Sequence, residues 1–361
     1  MKIAIVHDYL TQRGGAERVV LAMARAFPEA PIHTSLFDAH GTFPEFAGFD
    51  VRPMVLDRIP GLRRHHRLAF PLLAPAVTAA RIDADVVLCS SSGWAHGVRT
   101  AGRKLVYCHN PARWLYQRAQ YAPTRGTRAF AATALGAPLR RWDRNRARSA
   151  DRYVANSTVV RDRIRGAYGI EADVLPPPVT SQLSGPRRAI PGIPDDFLLC
   201  VSRLMPYKNV DAVVRAVAMI PGASLVVVGD GPERGHIEQV APSRVHMLRR
   251  VEDDQLRWLY GRCVGVVAAS YEDFGLTTLE AATFGRPSAT LRWGGFLDTV
   301  IEDETGVYFD EPEPNAIRNA LLRLLSLPWD SNVIAAHGQR FDEAAFIARL
   351  RLVIADLQGV Q

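Results

Sequence analysis

The chain has 361 residues, 48% hydrophobic and 22% charged, a composition that excludes a disordered chain and supplies apolar surface for two domains. Its 44 basic and 37 acidic side chains leave a charge of +7, and Lys2, Lys104 and Lys208 are the only lysines. The charge is uneven: residues 1–180 hold 26 basic and 14 acidic groups (+12), residues 181–361 hold 18 and 23 (−5), so the first half suits an anionic partner, nucleic acid or a membrane surface.

The first residues, Met1 to Asp8, read as a short buried strand over 3–7 and not as a signal peptide. The loop after it, Thr11-Gln12-Arg13-Gly14-Gly15-Ala16-Glu17, opens a helix running to Phe27. Paired glycines at a helix start let a backbone approach a phosphate, although G-x-G-x-x-G is lacking and a plain turn explains the loop equally well. The longest apolar run, residues 68–80, is broken by Pro71 and Pro75 and falls short of the roughly 18 residues a membrane span needs. Further apolar strands are expected over 85–90, 105–109 and 153–156. Asp83-Ala84-Asp85 has the spacing of a divalent-ion motif but sits at the entrance of its strand, the wrong edge for a ligand. Ser90-Ser91-Ser92-Gly93 and His109-Asn110-Pro111 lie at the ligand edge.

Residues 176–194 contain six prolines and two glycines, a composition incompatible with a helix or central strand. A linker is expected over 181–195, between an N-terminal domain (1–180) and a C-terminal one (196–341). The last segment, 342–361, has a helical apolar pattern and can pack on either. Strands over 197–201, 224–228, 264–268 and 287–291 repeat the pattern of the first half. Runs apolar throughout, separated by helices, indicate parallel sheets covered on both faces, hence an α/β fold of two doubly wound domains with ligands at the strands' carboxyl ends. The four cysteines, Cys89, Cys108, Cys200 and Cys263, are far apart and sit in apolar runs; buried free thiols of a reducing cytoplasm are expected, and no metal site.

Three loops of the second half carry unusual chemistry. Ser202 to Asn209 holds Arg203 and Lys208, a forked guanidinium and an ammonium that together suit a diphosphate. Gly229-Asp230-Gly231-Pro232 reads as a turn. Ser270 to Ala281 places Glu272 in a loop and Glu280 in the first turn of the following helix, with the amides of Phe274, Gly275, Leu276 and Thr277 open to an anion between them.

With these segments the chain resembles the retaining family 4 glycosyltransferases of the GT-B fold, nearly end to end. The resemblance rests on HDYLTQRGGAERV, YCHNPARWLY, RYVANSTVVRDRI, VSRLMPYKN, VVGDGPE and YEDFGLTTLEA. It is closest to bacterial mannosyltransferases of surface-polysaccharide assembly, which commonly use GDP-mannose. The resemblance implies two Rossmann-like domains facing each other across a cleft. It implies that Arg203 and Lys208 bind the donor diphosphate, Glu280 the ribose, and Glu272 with the backbone of Phe274 to Thr277 the donor sugar. His109 would lie near sugar and acceptor, and Gly14 and Gly15 near the phosphates. No metal or other cofactor is implied, the nucleotide sugar being a substrate.

Two departures stand out. Leu248-Arg249-Arg250 replaces the family's Leu-Gly, putting a guanidinium at Arg250, beside Val251, where base or phosphate is expected. Gly294-Gly295-Phe296-Leu297-Asp298 has Asp where Glu is frequent. A GT-B epimerase has no need of the cation pair with the glutamate pair, and a phosphorylase wants a pyridoxal lysine. Nucleic-acid binding through Arg140, Arg141, Arg144, Arg146 and Arg148 lacks interleaved aromatics, since Trp142 alone lies within that run. The expected partners are therefore a nucleotide-sugar donor, a glycan or lipid-linked acceptor (or a soluble one with a UDP- or dTDP-sugar), and no nucleic acid. The basic-then-apolar stretch 59–77 and the 15 basic against three acidic groups of 103–165 lead to the expectation of a cytoplasmic protein peripheral on the inner membrane face.

Overall fold

In the computed structural model the strands with apolar residues at every position form parallel sheets, because neither of their faces can be left to water. The structure describes residues 1–59, 61–63, 70–117, 127–179 and 184–359. Among them, one sheet has seven strands: β1 (Ile3–His7), β2 (Ile32–Thr34), β3 (Val51–Pro53), β4 (Val86–Ser91), β5 (Arg103–Cys108), β6 (Arg152–Ala155) and β7 (Asp173–Val174). The other has six: β8 (Leu198–Val201), β9 (Leu225–Val228), β10 (Val245–Leu248), β11 (Gly265–Ala268), β12 (Ser288–Leu291) and β13 (Gly306–Phe309). The first runs β3-β2-β1-β4-β5-β6-β7 and the second β10-β9-β8-β11-β12-β13, with all pairings parallel.

Each order reverses once, between β1 and β4 and between β8 and β11. Helices on either side of such a point leave in opposite directions, and the loops beyond its carboxyl ends open into a crevice. The fold thus singles out the segments after His7 and Ser91 in one sheet, and after Val201 and Ala268 in the other.

The chain divides into two compact units, Met1–Pro178 with Ala344–Gln361 (unit 1) and Val179–Glu343 (unit 2). Alternate residues of a strand serve the two faces of its sheet. Ala4 and Val6 of β1 join one core with Leu73, Val77 and Tyr153, while Ile3 and Ile5 join another with Val20, Met23 and Phe346. In unit 2, Leu198 and Cys200 face the helices Val210–Ala218 and Pro314–Ser326, and Leu199 faces Leu259 and Tyr260 of the helix Asp253–Arg262. The C-terminal helix Glu343–Gly359 packs on unit 1 through Phe346, Leu350, Ile354 and Leu357, and Arg351 Nη2 donates to the Ala26 carbonyl at 2.9 Å.

The structure differs from expectation in several places. The linker expected over 181–195 belongs to unit 2 over its described part: the Arg188 guanidinium forks onto Asp254 (2.7 and 3.1 Å), and Ile190 and Ile193 pack beside Phe197. Residues 180–183 lie outside the described residues. β2, β3 and β7 have only three, three and two residues, too few for a pattern to register. β10 and β13 are not among the expected strands either. Residues 70–79 of the apolar run form a helix with Pro75 inside it and bury Leu73, Ala74 and Val77. No helix of the described residues is long and apolar enough to cross a membrane.

Candidate active site

In unit 2 the β8 loop is held from below by glycines. A Cβ on Gly229 would stand 1.9 Å from the Ser202 carbonyl oxygen, and one on Gly231 would stand 2.3 Å from that of Leu204. Gly229-Asp230-Gly231 is therefore a support on which the cation loop rests, in agreement with the turn reading. The loop ends in a 3₁₀ turn, Pro206–Lys208, and Asn209 takes a left-handed conformation (φ 51°). Its Nδ2 donates to the Ala269 carbonyl at 2.8 Å, tying the β8 loop to the end of β11.

That tie brings Lys208 and Glu272 together. The Lys208 ammonium contacts the Glu272 carboxylate, and Ser270 Oγ donates to the same oxygen, Oε1, at 3.1 Å. Lys208 is 8% exposed. Its ammonium also lies 5.1 Å from the centre of the Tyr207 ring. Arg203 reaches outward, exposed, with Nη2 3.4 Å from the Tyr207 hydroxyl. An exposed guanidinium and a buried ammonium thus share one loop, and a carboxylate neutralises the buried one.

The Glu272 loop is shaped by a second close approach. Gly295 N donates to the Glu272 carbonyl at 3.0 Å, and a Cβ on Gly295 would lie 2.1 Å from Phe274 Cα. Gly275 is left-handed (φ 87°) and caps the helix Leu276–Thr283, whose first-turn amides have no acceptor within the helix. Phe274 is buried against Leu279 and Val179, so its side chain is structural and only its backbone can serve a ligand. Glu280 is the fifth residue of that helix, in the second turn, not the first as expected. Its Oε2 accepts from the buried Tyr260 hydroxyl at 2.6 Å. Burial and the Glu280 carboxylate both push the Tyr260 phenol well above its ordinary value, so it remains a donor. Arg250 is exposed beyond the edge strand β10, and the half-buried Val251 packs against the core that includes Phe197, Leu259 and Tyr260. It is Arg249 that approaches Asp230, at 3.7 Å.

In unit 1 the segments after β1, β4 and β5 carry the polar groups. Asp8, 3% exposed, accepts from the amides of Ser92 (2.6 Å), Trp94 (3.0 Å) and Ala95 (2.6 Å), which fixes the loop after β4. His109 follows β5; its Nε2 lies 2.8 Å from Ser90 Oγ, and its ring stands edge-on to Tyr107. Gly14 caps the helix Gly15–Ala26 in extended conformation, and a Cβ there would strike Glu17 Oε2 at 2.6 Å. Asp83 and Asp85 hold the chain's start, accepting from Lys2 Nζ (2.8 Å) and Lys2 N (2.7 Å). The four cysteines are buried, and burial pushes the thiols of Cys89, Cys200 and Cys263 up to about 12.

Residues 13–183 match the profile of Glycosyltransferase Family 4, and residues 187–345 that of Glycosyl transferases group 1. The chain belongs to the family 4 glycosyltransferases. The D-inositol 3-phosphate glycosyltransferase of Acidothermus cellulolyticus is 31% identical over 229 residues, 54% of this chain and 50% of that protein. The GDP-mannose-dependent alpha-(1-6)-phosphatidylinositol monomannoside mannosyltransferase of Mycolicibacterium smegmatis is 27% identical over 231 residues, 54% of this chain and 60% of that one. The alignments thus span half to three-fifths of these relatives. Anabaena HepE, solved in complex with UDP, superposes with a TM-score of 0.72 at 19% identity, over 99% of this chain and 100% of that one, a likeness of fold.

In this family 4 glycosyltransferase Arg203, Lys208, Glu272, Phe274, Gly275, Leu276, Thr277 and Glu280 all belong to the β8 loop, the β11 loop or the helix after β11, in unit 2. Gly14, Gly15 and His109 belong to unit 1. Tyr260 and Ser270, which orient the glutamates, were not singled out from the sequence. A tyrosine inside an amphipathic helix reads as core, and its partner is found only once the helix is placed.

Proposed function

We propose that the protein transfers a hexosyl group from a nucleoside-diphosphate sugar to a hydroxyl acceptor with retention of anomeric configuration and without a metal ion. The observation that carries this reading is the Lys208–Glu272 pair beside Arg203 at the β8/β11 reversal. A diphosphate entering there gives Lys208 a stronger partner and releases Glu272 to accept from a sugar hydroxyl. Arg203 and Lys208 then stabilise the charge that grows on the departing diphosphate. The anomeric C–O bond to phosphate breaks, the acceptor oxygen bonds on the same face, and the leaving phosphate takes the acceptor's proton. Glu280, steadied by Tyr260, accepts from the ribose hydroxyls.

The donor is GDP-mannose, a choice that rests on the name of the M. smegmatis relative and on the sequence resemblance. Turnover against GDP-mannose, UDP-glucose, UDP-N-acetylglucosamine and dTDP-sugars, with and without chelator, tests both parts. Release of GDP from GDP-mannose that survives chelation is expected. Turnover of a UDP- or dTDP-sugar instead overturns the donor, and complete loss in chelator with recovery on adding magnesium or manganese overturns metal independence.

Unit 1 works at the cytoplasmic face of the cell membrane, on a lipid-linked acceptor. The support is its basic surface, each engaged cation adding roughly 1 kcal/mol at an anionic leaflet. Arg63 is exposed but already paired: its guanidinium forks onto the buried Asp57 carboxylate (3.0 and 2.6 Å), which neutralises its charge. Arg64 and Arg67 lie outside the described residues, and Arg141 is exposed. Pelleting with anionic vesicles should fall with salt and with charge reversal at Arg64, Arg67 and Arg141. Equal pelleting with neutral vesicles, or none with either, means a soluble acceptor. Trp142 offers no platform for a nucleic-acid base, since its indole donates to Thr78 Oγ1 at 2.9 Å and packs against Trp94.

A further inference from the structure

Three side chains of unit 1 that the transfer chemistry leaves unused form a polar line leading to His109. Glu17, in the first turn of the helix Gly15–Ala26, is 1% exposed and accepts from Gln12 Nε2 at 3.0 Å. Its Oε1 lies 3.9 Å from Nε2 of His7, which is 2% exposed; that is an ion-pair distance, too long for a good hydrogen bond. On the other side of the ring, His7 Nδ1 is 3.1 Å from the Ser90 carbonyl oxygen and 3.0 Å from Ser90 Oγ. Ser90 Oγ is in turn 2.8 Å from His109 Nε2.

Ser90 has one hydroxyl proton and an imidazole on each side, so the proton state of one ring dictates that of the other. If His7 is an imidazolium, its Nδ1–H donates to Ser90, the hydroxyl donates to His109 Nε2, and the proton of His109 sits on Nδ1. If His7 is neutral with its one proton held on Nε2 by the Glu17 carboxylate, its bare Nδ1 faces the Ser90 carbonyl oxygen as well as the hydroxyl, a cost that the full charge of Glu17 has to outweigh. His7 Nδ1 then accepts the Ser90 hydroxyl, and His109 must turn Nε2–H toward Ser90 Oγ, leaving Nδ1 without a proton.

We propose that Glu17, His7 and Ser90 are positioning residues that hold His109 as its Nδ1–H tautomer, so that in the transfer reaction His109 donates a hydrogen bond and does not take the acceptor's proton. Burial opposes charge on His7, but the Glu17 carboxylate, with Asp8 and the Ser90 carbonyl, more than offsets this and raises its pKa above 6.5. The groups that face the ring are Glu17 from the helix, Asp8 from the next residue of its own strand end, Ser90 from β4 and His109 from the end of β5. The assignment rests on the reading that His109 belongs to the transferase site.

The direct test is the histidine tautomer, read by long-range ¹H–¹⁵N correlation in the full chain labelled with [¹⁵N]histidine, with His109→Gln to assign the signal among ten histidines. At neutral pH the wild type should show His109 protonated at Nδ1, changing to Nε2 as pH rises through the titration of His7. Glu17→Gln should move that change to lower pH, Ser90→Ala should uncouple the two rings, and Ser90→Thr should restore the wild-type pattern. In turnover, Glu17→Gln and Ser90→Ala should lower kcat at least fivefold with KM unchanged, and Glu17→Gln should shift the basic limb of the profile to lower pH. A wild-type His109 protonated at Nε2 at neutral pH, or a tautomer indifferent to both substitutions, overturns the proposal. The wild-type spectrum decides the matter even if a variant fails to fold. Because the spectrum needs no donor, absence of transfer with every nucleotide sugar would sink the transferase reading and leave the tautomer result standing.

Discussion

Tyr260 does two jobs with one side chain. Its ring stacks on Phe284 at 5.7 Å, and its hydroxyl donates to Glu280. Tyr260→Phe keeps the ring and removes the donor, so the fold should survive while the Glu280 carboxylate loses its anchor. We expect a severalfold loss of nucleoside-diphosphate affinity by calorimetry, with a melting temperature close to wild type; unchanged affinity would mean that Glu280 needs no orientation. The His7–Glu17 pair makes a separate prediction about stability. The pKa of His7 is raised and that of Glu17 lowered on folding, in each case against the opposing effect of burial. The Glu17 part is present above the ordinary carboxylate range and lost as pH falls through the lowered value. The His7 part is full below 6.5 and lost as pH rises through the raised value. Urea unfolding of wild type and Glu17→Gln should therefore differ most in the mildly acidic range and converge toward both extremes. A difference that keeps growing above neutrality would contradict the pairing.

The loops of unit 2 show which parts of the site were legible in the chain. Arg203, Lys208, Glu272 and Glu280 could be picked out because the cation pair and the glutamate pair recur together in the family the sequence resembles; either pair alone reads as solvated or capping charges. The supports were not legible. Gly295 matters because Phe274 lies where its Cβ would be, a proximity of two loops that no local spacing encodes. Gly295→Ala should lower the melting temperature and weaken donor binding together, since overpacking typically costs about 1–3 kcal/mol and the loop that moves carries Glu272. Gly294→Ala at the neighbouring left-handed position (φ 58°) tests whether backbone strain alone gives the same result. If Gly295→Ala binds donor as wild type does, the contact does not shape the site. Glu280 falls in the second turn and not the first because the helix is capped as early as Gly275; a cap one or two residues later is what the first-turn placement needs.

Across the whole molecule, the α/β class and the two sheets follow from runs such as Leu198–Val201 and Leu225–Val228, apolar at every position. Strand order does not follow, since which strands neighbour each other is decided by long-range packing. The last helix was open between the two units for the same reason. Its docking on unit 1 buries Leu350 and Ile354 completely or nearly so, at 0% and 1% exposure. Leu350→Ala should therefore cost about 2–5 kcal/mol and act on unit 1. Calorimetric unfolding should show this as a lowered transition that leaves nucleotide binding by unit 2 at low temperature unchanged. A shift of the transition that nucleotide raises would contradict the assignment.

The division of labour among the charged groups of unit 2 carries the functional reading, and nucleoside-diphosphate affinity measured across three variants tests it most directly. Removing a charge-assisted contact typically costs about 1.5–3 kcal/mol, roughly ten- to a hundredfold in Kd. Calorimetry with GDP should show Lys208→Ala and Glu280→Ala weakened by that amount. Glu272→Ala should bind GDP like the wild type, since in the proposed reaction Glu272 meets the sugar and only neutralises Lys208 while the site is empty, yet turn over GDP-mannose far more slowly. Near-equal affinity in all three variants, or loss of GDP binding in Glu272→Ala alone, would contradict the placement of the diphosphate at Lys208 and of the sugar at Glu272.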